Sequence, residues 1–94
     1  MRGYTCFVDT DGKTKHVLYA TKIVEFNRLG PSGSIQLNNG GWQTMHTKKC
    51  MNHALISTPW RVIQKKGQWY VKHLESDAVL GYVNNMILQW HPKD

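Results

Sequence analysis

The stretch Gly40-Gly41-Trp42-Gln43-Thr44-Met45-His46-Thr47-Lys48-Lys49-Cys50-Met51-Asn52 constrains the fold most. It joins a polar turn, a lone tryptophan and the one convincing helix start in the chain. Thr44 is placed to act as N-cap, its hydroxyl accepting from a free amide of the first turn; Thr47 is an alternative cap. On a helical wheel Thr47, Met51, Ala54 and Leu55 share one side, the stripe expected to be buried. Lys48, Lys49 and Asn52 fall toward solvent or the edge. Pro59 stops the element, because the residue before a proline is pushed out of the helical region. A helix is expected over about residues 45–57.

Strand-like runs lie on both sides. Tyr4 to Val8 is a short apolar run, closed by the turn signal Asp9-Thr10-Asp11-Gly12. His16 to Phe26 is rich in β-branched and aromatic residues and reads as one strand with a bulge or bend near Ala20. Leu29 to Gly33 has loop composition, and Ser34 to Leu37 a short strand. After Pro59, Trp60–Lys65 and Gln68–Leu74 alternate around Lys66-Gly67 as a hairpin. With a two-residue turn, Trp60, Val62 and Gln64 share a face with His73, Val71 and Trp69. The other face carries Arg61, Ile63 and Lys65 beside Lys72, Tyr70 and Gln68. Ala78–Val83 and Met86–Trp90 suggest a last hairpin about Asn84-Asn85, apolar on both faces. A helix over Ser76–Met86 is the weaker alternative, because Gly81 and the β-branched residues oppose it. The expected fold class is α+β: a small antiparallel sheet of about five to six strands, with one helix after the second or third strand. All 94 residues are expected to form a single domain.

Twelve Lys plus Arg stand against six Asp plus Glu, a formal charge of +6. This balance favours an acidic partner, nucleic acid or an acidic protein surface. No apolar run approaches the ~20 residues of a membrane span, so no membrane association is expected. Met1–Val8 is too short and polar for a signal peptide. Cys6 and Cys50 do not suggest a disulfide framework and are expected as free thiols in a reducing cytoplasm.

Several constellations bear on chemistry. Arg61 and Lys72 are expected directly across from each other, a like-charge pair that is destabilising unless offset. With Lys65, Lys66 and Tyr70 they form a face suited to phosphates and stacked bases, with Lys48 and Lys49 as additions. His46, Cys50 and His53 align on the helix as metal ligands could, but no Cys-x-x-Cys or His-x-x-x-His spacing supports a site, and no cofactor is expected. Cys50 or Cys6 with a histidine could act as a nucleophile only in an environment that lowers the thiol pKa. Paired carboxylates and a phosphate-binding glycine loop are lacking, so no enzymatic role is expected. Of the four tryptophans, Trp60 and Trp69 are expected in the core and Trp42 as an anchor across the helix start. Tyr82 and Trp90 are the candidates for partner binding.

The Gly-Gly-Trp segment, followed by Thr44, Thr47-Lys48, a basic position and Asn52, resembles a family of short proteins of tailed bacteriophages. The aromatic pair in the hairpin Val62–Val71 is similar too, so the likeness runs over about Thr21–Val71. His46 stands where that pattern has Thr, and Cys50 where it has Arg. The resemblance implies a phage origin and the cytoplasm of an infected bacterium. The expectation is therefore a small non-catalytic accessory protein that binds nucleic acid through the basic hairpin face. The alternative is a protein-interaction module, a host-enzyme modulator or a homo-oligomer, using the apolar C-terminal hairpin.

Overall fold

Lys66 and Gly67 both take left-handed backbone, with φ of +51 and +76. Positive φ at both central residues is what a two-residue hairpin turn requires. It sets the pairing of β5 (Trp60–Lys65) with β6 (Gln68–His73), in which Trp60 meets His73, Arg61 meets Lys72 and Lys65 meets Gln68. This is the register expected from a two-residue turn. Trp60, Val62, Trp69 and Val71 turn inward, each no more than 9% exposed.

The computed structural model describes residues 1–29 and 32–90. Within them the chain is α+β, with eight strands in two antiparallel sheets rather than five or six in one. The larger sheet contains β1 (Tyr4–Val8), β2 (Thr14–Leu18), β3 (Thr21–Leu29), β4 (Ser32–Leu37) and β8 (Ile87–Trp90), in that order across the sheet. The smaller contains β5, β6 and β7 (Val79–Gly81). Helix α1 (Met45–Ala54) follows the fourth strand, later than expected, and packs against β5 on one side and β2 and β3 on the other. Cys50, Met51 and Leu55 are fully buried between the sheets, against Ile23, Val24, Ile35 and Leu37 of the larger one. Each such aliphatic side chain contributes about 1.5–3 kcal/mol relative to exposure.

Two segments depart from the sequence expectation. His16–Phe26 is not one strand; it reverses at Tyr19-Ala20, where Tyr19 has φ +54. Nothing local announces a turn there. It is held from outside: the Tyr19 amide donates to the Gly3 carbonyl at 2.7 Å. The Tyr19 ring lies so close to Gly3 that a Cβ built on Gly3 would be 2.5 Å from it. Of the bulge or bend expected near Ala20, the chain has a full reversal there and a bulge at Ile23, which has no partner between the pairs His16–Val24 and Val17–Lys22. Of the loop expected at Leu29–Gly33, Gly30 and Pro31 lie outside the described residues; Leu29 already pairs with Ser32.

The last hairpin is the second departure. Asn84-Asn85 does form a turn, with Asn85 at φ +68 and the Met86 amide donating to Val83 O. The arms then go to different sheets: Leu80 pairs with Val71, and Leu88 with Ile35. Residues apolar on both faces must be covered on both, and dividing them between two sheets achieves this for Leu88, which is 2% exposed. The crossover is tied down by amides. Asn38 Nδ2 donates to Asn85 Oδ1, the Asn39 amide to Asn84 Oδ1, and the Asn85 amide to Leu37 O.

Candidate nucleic-acid interface

The outer face of the β5–β6 hairpin is composed as its alternation dictates, and Arg61 lies directly across from Lys72. The charges of that pair are offset within the protein. Arg61 Nη1 donates to the carbonyls of Leu55 at 2.8 Å, Thr58 at 2.8 Å and Trp60 at 2.6 Å, and Nη2 to Ile56 at 3.3 Å. The guanidinium thereby satisfies the carbonyls that follow α1, where a cation is also favoured by the helix dipole. Lys72 Nζ lies 3.8 Å from an Asp77 carboxylate oxygen. The like-charge pair therefore needs no external anion. Tyr70 is half-buried, between Ile63 and Gly81 in the register, and the side-chain position of Gly81 is open space.

A second set of cations is free. Lys65 and Lys66 are exposed at the hairpin tip, and Lys49 is exposed on the helix. Lys48 reaches across from α1 and donates to Gln64 Oε1 at 3.3 Å, on the face of β5 opposite Arg61 and Lys65. None of these four forms an ion pair among the described residues. Asp9, Asp11 and Glu25 are gathered elsewhere. Lys15 Nζ meets Asp9 at 2.5 Å and Asp11 at 3.1 Å, and Lys22 Nζ meets Glu25 at 2.9 Å, all on the larger sheet or in the turn between β1 and β2. The hydrogen bond from Lys15 holds the Asp9 carboxyl below its usual range, and the Lys13 amide does the same for Asp11.

Tyr82 and Trp90 are half-buried and engaged with neighbours. Tyr82 packs edge-on to Trp69 at 5.4 Å and donates to Asn84 Oδ1, and burial pushes its phenol up to about 12. Trp90 packs edge-on to Phe26 at 5.3 Å. The exposed apolar side chains of this region are Val79, Leu80, Val83 and Ile87.

The histidine–cysteine groupings separate. His46 Nε2 donates to the Arg2 carbonyl at 2.8 Å, and Cys50 Sγ lies 3.8 Å from it. Burial pushes the Cys50 thiol up, which works against a thiolate. His53 instead packs edge-on to Tyr4. Cys6 is exposed, with Sγ 3.8 Å from His16 Nε2, while Tyr4 Oη is 2.5 Å from His16 Nδ1. Burial, and then the charge of His53, lowers the His16 pKa. Both cysteines are free, and no group of three metal-ligating side chains occurs among the described residues. No helix there is long and apolar enough to cross a membrane.

The Gly40–Thr47 segment holds one feature that the sequence showed and others that it did not. Thr44 is the N-cap, its hydroxyl accepting from the Thr47 amide at 3.2 Å. Gly40 and Gly41, at φ +62 and +84, turn the chain before it. Trp42 is no anchor; it is 65% exposed. With Tyr19, Ile23, Asn39 and Thr47 it lines a cavity of about 390 Å³. The burial of Asn39, 1% exposed, is not legible in the sequence, because a side chain's burial is set by what packs on it.

The family comparison covers more of the chain than the stretch that carries the resemblance. The description of the matching family is Kyanoviridae Gp96 protein, and the match runs over residues 3–89, taking in β1, the first turn and both arms of the crossover. No curated protein and no solved structure matches the chain. With nearly all of its length matched, the chain belongs to this family of phage proteins, the Kyanoviridae Gp96 proteins.

Proposed function

We propose that the protein is a non-catalytic phage accessory factor that binds nucleic acid in the cytoplasm of the infected bacterium. The observation that supports this is that Lys48, Lys49, Lys65 and Lys66 have no carboxylate partner among the described residues, Lys48 being held beside β5 by its contact with Gln64. Lysines without carboxylate partners are free to replace the counterions of a phosphate backbone. Tyr70, beside the open position of Gly81, supplies an aromatic ring of the kind on which a base stacks. Lys72 adds charge to this face. Arg61 adds charge as well, but its donors are used by carbonyls.

Fluorescence anisotropy with labelled single- and double-stranded oligonucleotides tests this. Dissociation constants of roughly 10⁻⁴ to 10⁻⁶ M, weakening with salt, are expected for such a charge-driven interface. Binding to an acidic protein but to no DNA or RNA at low salt overturns it. The exposed Val79, Leu80, Val83 and Ile87 favour a second reading, association with another copy or a host protein through the crossover. Sedimentation as a strict monomer counts against its self-association form.

A further inference from the structure

We propose that the cavity beneath Trp42 is a nucleobase site. Three features point to this chemistry. First, the walls are aromatic and apolar: Trp42 and Tyr19 are 65% and 66% exposed, yet both line the cavity, and Leu18 and Ile23 lie within it. A tryptophan and a tyrosine lining one cavity offer aromatic surface to a planar guest. Second, the volume of about 390 Å³ falls within the range of small-ligand sites.

Third, Asn39, one of the residues that line the cavity, holds an unused donor. Asn39 is 1% exposed, and its Nδ2 has no hydrogen-bond partner. Its orientation is fixed, because Oδ1 accepts from the Gly41 amide at 2.8 Å; a flipped amide would set two donors against each other. The turn needs only the oxygen, and an aspartate would serve it as well. Buried polar groups are nearly always paired, so an idle N–H here calls for an acceptor from outside. A heterocycle carrying a ring carbonyl or ring nitrogen brings that acceptor in the plane of an aromatic ring. Lys48 and Lys49 follow Thr47 on α1, so a strand carrying the base has phosphate partners close by. The base itself could come from such a strand or from a free nucleoside. The cavity argument does not depend on the lysines.

The test is an NMR titration of the full chain with adenosine, guanosine, cytidine and uridine, and with a short oligonucleotide and its abasic counterpart. The Asn39 side-chain amide and the Trp42 indole N–H are followed. Saturable shifts of both are expected with at least one nucleoside or with the oligonucleotide, and none with the abasic strand. A nucleoside that binds as tightly as the strand marks a free nucleoside as the guest; a tighter strand marks a base within nucleic acid. Asn39→Asp keeps the acceptor for Gly41, removes the donor and is expected to weaken binding at least about tenfold, as lost pairing to a base typically does. Should that variant fold poorly, Trp42→Ala, at an exposed position, gives the same loss with an unchanged melting temperature. Lysine substitutions weaken the oligonucleotide but not a nucleoside, which separates this site from the lysine surface. Absence of shifts at both groups up to roughly 10 mM nucleoside, where even millimolar affinity saturates, and with the oligonucleotide, overturns the proposal.

Discussion

Asn52 and Val62 exchange two hydrogen bonds, Asn52 Nδ2 donating to Val62 O at 2.9 Å and the Val62 amide to Asn52 Oδ1 at 2.7 Å. β5 is an edge strand of the smaller sheet, so these backbone groups face away from β6 and have no strand to pair with. One side chain from α1 takes the place of that strand. Asn52→Ala is expected to cost about 1–3 kcal/mol, because it leaves a buried donor and acceptor unmet. Chemical denaturation measures this, and a loss under about 0.5 kcal/mol, typical of a surface change, contradicts the role.

Arg61 is expected to matter for folding more than for binding. Arg61→Lys keeps the charge, but a single ammonium cannot span four carbonyls as the planar fork does. The expected destabilisation is about 1.5–3 kcal/mol, the range for charged hydrogen bonds, with oligonucleotide affinity reduced less than by Lys65→Ala. A variant that folds as stably as the wild type and loses affinity contradicts this.

His16 confers a pH dependence. Burial places its folded pKa below the ordinary value of 6.5. The unfolded chain therefore takes up a proton first as pH falls. Stability is fully present above 6.5 and is lost as pH drops toward the lower folded value. Asp9 and Asp11, both lowered from 3.8, lose their contribution only at more acid pH. Denaturation midpoints between about pH 7.5 and about pH 5 are expected to fall for the wild type and to flatten for His16→Gln. An equal fall in both proteins contradicts the assignment.

How far these features were legible depends on where their causes lie. The β5–β6 register was readable because alternation and a short turn act locally: Trp60, Val62, Trp69 and Val71 announce one face. The Thr44 cap was readable for the same reason. Tyr19 was not, since its left-handed backbone is held by Gly3, a distant partner. The last hairpin misled because local alternation does not say which sheet a strand joins; Leu80 and Leu88 are eight residues apart and pair in different sheets. The face of Arg61 was predicted, but its role was not, because the four carbonyls it binds between Leu55 and Trp60 are invisible in a one-letter pattern. The idle amide of Asn39 emerges only once the crossover docks on Asn38 and Asn39.

The lysine surface is tested most directly by the slope of log binding constant against log salt for a single-stranded oligonucleotide. Each phosphate neutralised contributes about −0.7 to that slope. Replacing Lys48, Lys49, Lys65 and Lys66 together by glutamine is predicted to make the slope shallower by roughly 2–3 units, with the fold intact. A slope unchanged by the four substitutions, or wild-type binding that ignores salt, contradicts the account.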